Sequence, residues 1–339
     1  MLISIVIPVF NEHESLPPLL AGLRHALGKD YAYELIFVDD GSVDGSREVL
    51  RRAASEDPRV KCIFFSRNFG HQAAITAGID LASGDAVAVM DADMQDPPEL
   101  LPQMIKLLDE GYDVVSAQRL SREGEGFLKR YTAKVFYWMM RTLVDARIQT
   151  EVGDFRLFSR RAATALRSLR EQHRFVRGMV AWLGFREIIV PYHRRPRVAG
   201  KPKYSPLKMI RFAWTAITSF SALPLRLTVF FGFFVAACGV AFGIFSIYAE
   251  WVLKATVPGW TSLVCLNIVF SGATLVAIGL VGEYIARIYE EAKGRPLYVV
   301  SDSVNVTASQ PQIAKAVILP SPADDESTFE PPKRKAHRL

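Results

Sequence analysis

Two stretches of this chain carry no charged residue for about 22 positions each, Leu227 to Tyr248 and Thr261 to Gly282. A helix rises 1.5 Å per residue, so each is long enough to cross a hydrocarbon core of about 30 Å. Two in tandem, joined by a short loop, predict a transmembrane hairpin rather than two buried soluble helices. Gly232, Gly239 and Gly243 suit close helix packing in lipid, and Trp251 and Trp260 flank the loop as interfacial aromatics do.

Orientation follows from the basic residues beside the spans. Arg211 and Arg226 precede the first, Arg287, Lys293 and Arg295 follow the second, and the loop holds only Lys254. Both flanks, and hence both termini, are expected on the cytoplasmic side of a cell (inner) membrane that the chain crosses more than once. The start, Met1-Leu-Ile-Ser-Ile-Val-Ile-Pro8, lacks a basic residue and breaks at a proline, so no signal peptide is expected.

The chain has 339 residues, room for about two domains. Its net charge is +6, and Lys201, Lys203, Lys208 and Arg211 gather just before the first span. Anionic headgroups explain that cluster better than nucleic acid does, so no nucleic-acid partner is expected. The three cysteines, Cys62, Cys238 and Cys265, have neither disulfide nor zinc spacing, as a reducing compartment would have it.

The first half alternates strand and helix. Strands are predicted at Ile3–Val9, Glu34–Val38, Lys61–Phe65 and Ala86–Met90, with helices at Glu14–Leu27, Ser46–Ala54 and Gln72–Ala82 between them. This rhythm predicts an α/β domain with a mostly parallel sheet and helices on both faces. Asp113–Ala117, Val152–Phe158 and Glu187–Tyr192 add strands, and a basic, aromatic helix is predicted over about 127–143. Ser205-Pro206 opens another helix with Lys208, Arg211, Thr215 and Thr218 on one polar stripe. Its wide apolar remainder suits the membrane interface, with a core helix as the alternative.

The predicted strand Ala86–Met90 runs into Asp91-Ala-Asp93-Met-Gln95-Asp96. Carboxylates at i and i+2 leave a strand end on one side, and such a pair suits a hard divalent cation, Mg²⁺ or Mn²⁺. Strand carboxyl ends are also where open α/β sheets bind ligands. A polar strand-to-helix turn would satisfy the same short pattern, and Gln95 fits either a third oxygen ligand or an ordinary turn residue. Asp96-Pro97-Pro98-Glu99 has the signature of a helix start, Asp at N-cap, Pro at N1 and Glu at N3, which keeps Asp96 out of the metal site.

Four segments, Ile7-Pro-Val-Phe-Asn-Glu12, Val38-Asp-Asp-Gly-Ser42, Met90-Asp-Ala-Asp-Met-Gln-Asp-Pro-Pro-Glu99 and Gly153-Asp-Phe-Arg-Leu157, together resemble inverting family 2 glycosyltransferases of the GT-A fold. The chain is similar to their polyprenyl-phosphate branch, which includes dolichol-phosphate mannose synthases. Lys203-Tyr-Ser-Pro-Leu-Lys-Met209, Gly282-Glu-Tyr284 and Gly294-Arg-Pro296 point to the bactoprenol (undecaprenyl-phosphate) glucosyltransferases. Phe10 and Met94 depart mildly from the family's common Tyr and Leu. The resemblance covers roughly residues 1 to 300.

The resemblance implies a layout: a cytoplasmic catalytic domain over 1–204, a juxtamembrane amphipathic helix region over 205–225, and two membrane helices within 226–285, at about 227–249 and 261–283. A cytoplasmic return segment over 286–301 and a disordered tail over 302–339, rich in Pro, Ser and charge, complete it. Pro8, Glu12 and Asp40 match positions holding the donor's base and ribose; Asp40 could equally make an Asx turn before Gly41. Asp91, Asp93 and Gln95 match ligands of a divalent cation on the donor diphosphate. Lys201 and Lys203 match a loop closing over that diphosphate. Arg119, Arg130 and Lys134 fall where the family binds the acceptor phosphate, although Arg130 and Lys134 would also suit a plain basic helix face. Asp154 matches the proposed base, and an orienting role is the alternative.

The reaction implied is inverting transfer of a sugar, first of all glucose from UDP-glucose, to undecaprenyl or another polyprenyl phosphate at the cytoplasmic face. The product is a lipid-linked donor for glycan or O-antigen modification. GDP-mannose, UDP-galactose, UDP-N-acetylhexosamine and aminoarabinose donors stay open, as does a homo-oligomer, a tetramer by resemblance. A processive polysaccharide synthase would carry Q-x-x-R-W and more spans, neither of which is present. A non-catalytic membrane scaffold would not need the acidic residues at every expected position.

Overall fold

The computed structural model describes residues 1–28, 30–120, 152–193, 223–252, 259–306 and 317–318. The helix expected over 127–143 lies outside them, as does the juxtamembrane region expected over 205–225 up to residue 222. The chain divides into two compact units, one built from the N-terminal residues together with those from Pro296 onward, the other containing the apolar helices.

Strands β1 (Leu2–Val9), β2 (Ala32–Asp39), β3 (Val60–Phe65) and β4 (Ala86–Val89) alternate with helices α1 (Leu16–Leu27), α2 (Ser46–Glu56) and α3 (His71–Leu81). After a 3₁₀ turn at Pro98–Leu100 come α4 (Leu101–Asp109), β5 (Val114–Arg119), β6 (Val152–Ser159), α5 (Arg160–Ser168), α6 (Val176–Leu183) and β7 (Glu187–Tyr192). The central strands are near-continuous apolar runs because helices cover both faces of the sheet. On one face Ile3, Ile5, Ile7, Leu35 and Phe37 bury against Leu16, Leu19 and Leu23 of α1 and Leu101, Met104 and Ile105 of α4. On the other, α3 approaches β1 so closely that a Cβ on Gly78 would lie 2.1 Å from Val6 Cγ1.

The nine strands run in the order β7-β5-β6-β4-β1-β2-β3-β8-β9, where β8 is Val299–Val304 and β9 is Val317–Ile318. The sheet is mixed, a GT-A-like arrangement. β1, β2, β3 and β4 are parallel, while β6 lies antiparallel between β4 and β5, and β8 antiparallel on β3. Reversal of β6 brings its first residues to the edge where the parallel strands end.

β8 corrects the expected layout. Residues Asp302 to Val304, placed by sequence at the start of a disordered tail, continue the strand, and Asn305 Nδ2 donates to the carbonyls of Ala54 and Val60 at 2.7 and 2.9 Å. The return segment belongs to the catalytic sheet, which therefore does not end at residue 204.

In the second unit, α7 (Leu223–Trp251) and α8 (Gly259–Ala292) contain apolar segments Leu225–Phe245 and Val269–Ala292, long enough to cross a membrane. A soluble core would bury such residues. Here Phe230, Phe233, Leu275 and Val276 are each about 70% exposed, a surface suited to lipid. α7 starts four residues before the expected span, at Leu223. Of the three glycines expected at the helix contact, only Gly239 meets a neighbour: a Cβ there would lie 3.1 Å from the Phe270 ring, whereas Gly232 and Gly243 have nothing within 4 Å.

Candidate active site

β1, β2, β4 and β5 all end at one edge of the sheet, and the side chains with chemical potential gather there. Carrying the β4–β6 register Val89↔Arg156 on by two residues sets Asp154 beside Asp91. α3 begins at the same edge with His71, whose Nε2 lies 3.3 Å from Asp154 Oδ2 and 3.5 Å from Asp91 Oδ1. From α6, Arg177 Nε reaches Asp154 Oδ1 at 2.9 Å and its Nη2 reaches Oδ2 at 3.3 Å. A chain of alternating charge thus runs Asp91, His71, Asp154, Arg177.

Its electrostatics follow from burial and pairing. Burial opposes a charge on His71, but Asp154 and Asp91 outweigh it and lift the imidazole to about 9. Burial likewise works against the Asp154 carboxylate, yet Arg177 and His71 hold it well below the ordinary carboxyl range. Such a carboxylate is a weak proton acceptor. Burial pushes Asp91 up against the pull of His71, with repulsion from Asp154 and Asp93 adding to it.

The two expected metal-binding carboxylates follow the strand end, as expected from sequence, but a turn and not strand alternation sets their directions. β4 stops at Val89, and Asp91 to Asp96 form a turn in which Met94 adopts a left-handed φ of 62°. That backbone, costly for a residue with a Cβ, folds the turn so that Asp93 Oδ1 accepts the Gln95 N–H at 3.1 Å. Asp91, Asp93 and Gln95 offer oxygen donors, and the crowding of Asp91, Asp93 and Asp154 is what a cation would relieve, so the residues fit a hard divalent ion. Among the described residues no three acidic, histidine or cysteine side chains form a closed metal cluster. The donor set suits an ion that keeps several waters, as Mg²⁺ does.

Asp96 is not a helix cap. The 3₁₀ turn starts from Pro97 and α4 from Leu100, both without a side-chain cap. Asp96 is instead fully buried in the site, where its Oδ1 accepts from the Tyr192 hydroxyl at 2.5 Å and lies 3.7 Å from Arg119 Nη2. Burial, with Asp91 adding to it, raises its carboxyl to about 6 despite Arg119 and Tyr192. Arg119, expected at the acceptor phosphate, donates from Nε to Tyr192 Oη at 3.1 Å. Arg130, Lys134, Lys201 and Lys203 lie outside the described residues.

The expected nucleotide-binding residues lie at the same edge. Pro8 is buried within β1 opposite Val38. Glu12 follows β1 and accepts from Ser15 Oγ at 3.0 Å. The Asx-turn alternative for Asp40 does not hold: the Ser42 N–H goes to Asp39 Oδ1, three residues back, at 3.2 Å, and Asp39 also pairs with Arg47 Nε at 2.7 Å. Asp40 Oδ1 instead accepts the N–H groups of Phe69, at 2.6 Å, and Gly70, at 3.2 Å, just before α3. Gly41, at a φ of 76°, has no room for a Cβ, which would lie 2.7 Å from the Arg67 carbonyl carbon.

His71, Arg177 and Tyr192 were not singled out from sequence. For His71 a signal existed, since it is the first helical residue after a parallel strand and such positions face the ligand edge. Arg177 and Tyr192 belong to elements joined to the site only by tertiary packing.

A mixed GT-A-like sheet with paired carboxylates at its ligand edge defines a nucleotide-sugar type of transferase fold. Residues 4–167 match the glycosyl transferase family 2 pattern. The chain is 45% identical over 304 residues to the uncharacterized glycosyltransferase YkcC of Bacillus subtilis (strain 168), covering 89% of this chain and 94% of that one. It is 40% identical over 304 residues to the bactoprenol glucosyl transferase of Shigella phage SfII, covering 89% and 98%. A crystal structure of mannosyl-3-phosphoglycerate synthase from Rubrobacter xylanophilus covers 67% of this chain and 74% of its own, at 20% identity and a TM-score of 0.45. The chain belongs to glycosyl transferase family 2 and is a glycosyltransferase.

Proposed function

We propose that this enzyme transfers glucose from UDP-glucose to undecaprenyl phosphate at the cytoplasmic face of the membrane, with inversion at the anomeric carbon. The observation that carries the reading is the pairing of an acidic sheet edge with two lipid-length helices, in a chain 40% identical to a bactoprenol glucosyl transferase along almost its whole length. An acceptor phosphate on a long isoprenoid stays in the bilayer, so its transferase must work at the membrane surface.

In the proposed reaction a phosphate oxygen of the lipid attacks C1 of the sugar, the bond from C1 to the β-phosphate oxygen breaks, and UDP departs with the bonding electrons. Asp91, Asp93 and Gln95 would hold Mg²⁺ or Mn²⁺, which as a Lewis acid stabilises the charge on the leaving diphosphate. Asp40, Glu12 and Pro8 would line the nucleotide end. Arg119, with Arg130 and Lys134, would grip and orient the acceptor phosphate, and Lys201 and Lys203 would add positive charge over the diphosphate.

Topology is supported by connectivity as well as by flanking charge. The chain enters the hairpin from the catalytic domain, and β8, directly after it, pairs with β3 of the same sheet. Both ends of the hairpin then lie on one side of the membrane, with the nucleotide-sugar pool.

The test is a screen of nucleotide sugars against undecaprenyl phosphate with the purified full chain in lipid vesicles. UDP-glucose should give a lipid-linked hexose; a clear preference for another donor would overturn the sugar assignment, and no transfer from any donor would overturn the reaction.

A further inference from the structure

The Asp154 carboxylate has both oxygens engaged by cationic groups from two different helices. Arg177 of α6 takes Oδ1 through Nε and Oδ2 through Nη2, and His71 of α3 takes Oδ2 through Nε2. The same imidazole nitrogen faces Asp91 at 3.5 Å, so one side chain joins the cation-binding turn to Asp154. The two helices are themselves tied beside this contact, since Gln72 Oε1 accepts the Val176 N–H at 3.0 Å at the start of α6. Beneath Asp154 on the same face of β6 lies Arg156, buried to 4% exposure. Two basic groups therefore hold the carboxylate, with a third two residues along the strand.

We propose that His71 and Arg177 are positioning residues of the transfer reaction, and that Asp154 serves as the fixed anion holding them in register with Asp91 rather than as a proton acceptor. The proposal rests on the reading of the site as a polyprenyl-phosphate glycosyltransferase centre. A carboxylate whose oxygens accept a two-point guanidinium contact and an imidazole contact has most of its acceptor positions committed to cations, which fixes its place and favours its charged form. Its geometric effect is to fix the cation-binding turn against α6. Displacement of about 1 Å at such a point is enough to slow a transfer about 10²-fold.

The experiment is a double-mutant cycle on the full chain in lipid vesicles, with UDP-glucose and undecaprenyl phosphate. Arg177→Gln and His71→Gln should each lower kcat about 10²-fold with the KM for UDP-glucose little changed, and Arg177→Lys should recover part of the loss. Asp154→Asn combined with Arg177→Gln should be no slower than the worse single variant, within the roughly twofold precision of additivity. Losses that multiply, or Arg177→Gln at wild-type rate, would overturn the proposal. If the wild type refuses UDP-glucose, the donor assignment fails alone, and the cycle is run on the donor it accepts. A readout without turnover is the His71 imidazole nitrogen NMR resonance, which should move in Asp154→Asn; a resonance that stays in place would overturn the proposal even if no donor is found. Unchanged thermal unfolding of Arg177→Lys separates positioning from loss of fold.

Discussion

The Tyr298 hydroxyl donates a 3.0 Å hydrogen bond to Asp80 Oδ2, tying the chain just beyond the second apolar helix to the end of α3. Asp80 also receives Arg170 Nη1 at 2.9 and 2.8 Å, and the Tyr298 ring stacks on Phe65 with centroids 5.1 Å apart. Arg51 and Asp302 pair across the same junction at 2.5 Å. The residues after the hairpin are a structural part of the catalytic unit.

Truncation should therefore have a sharp boundary. A chain ending after residue 318, which keeps β9, should retain its unfolding temperature, whereas one ending after Arg295 should lose β8 and β9, bare the β3 edge and unfold earlier or aggregate. Tyr298→Phe removes only the hydroxyl contact, worth about 1 kcal/mol, or a fall of about 2–4 °C for a domain of this size. Thermal unfolding of the detergent-solubilised protein measures all three. Equal stability of the two truncations would remove β8 from the sheet.

The buried Glu34 gives an acid limb to stability. Burial alone would raise its carboxyl, but Lys61 Nζ at 2.5 Å, Ser4 Oγ at 2.5 Å and Ser83 N–H at 2.8 Å outweigh it and lower it below its ordinary 4.5. A folded pKa below the unfolded one means the stabilisation is present above pH 4.5 and is lost as pH falls through the folded value. Glu34→Gln should lose about 1.5–3 kcal/mol at neutral pH and show a flatter decline below pH 4.5. Parallel pH profiles for variant and wild type would show that Glu34 does not contribute this dependence.

Much of the fold was legible because its signals are local. The apolar runs of β1 to β4 and the helices between them satisfy two periodicities that survive without tertiary context. Asp91 and Asp93 stood out by following such a strand. Asp96 was misassigned because Asp-Pro-Pro-Glu carries a capping signature, while its actual partners, Tyr192 and Arg119, are remote in sequence. β8 was missed because polar and charged residues suit a strand near the margin of a sheet as well as a tail, and only its pairing with β3, more than two hundred residues away, distinguishes them. The clamp on Asp154 is likewise a product of packing among α3, β6 and α6.

Metal dependence should divide the acidic turn. Asp93→Asn keeps an oxygen able to accept the Gln95 N–H but removes a charge, and Asp91→Ala removes a donor beside His71. Each should weaken activation by Mg²⁺ or Mn²⁺ by more than the roughly 10–100-fold typical of losing an outer partner of a metal site. The turn is at the sheet edge, so folding should persist. Activity of either variant unchanged in saturating EDTA would remove the cation from this site.

Topology is open to direct measurement. Accessibility tags at Met1 and Leu339 should both report the cytoplasmic side, and a tag within residues 256–259 the opposite side. Flanking arginines and the return of β8 to the sheet point the same way. Tags on opposite sides at the two termini would be incompatible with β8 pairing in the catalytic sheet.

Asp154→Asn tests what the carboxylate does. If it removed a proton from the acceptor, the loss should be about 10²–10⁴-fold near neutrality and should shrink as pH rises. The acceptor's second phosphate ionisation lies near pH 6, comparable to that of a phosphorylated side chain, so at higher pH the dianion needs no base. If the carboxylate only holds Arg177 and His71, the loss should be as large yet constant with pH. Against burial, Arg177 and His71 hold the Asp154 carboxyl far below the range of an effective base near neutrality, so the activity of the variant relative to wild type should stay constant as pH rises through the acceptor's ionisation, from about pH 5 to 7.5. A relative activity of Asp154→Asn that recovers steadily across that interval would restore the proton-accepting role.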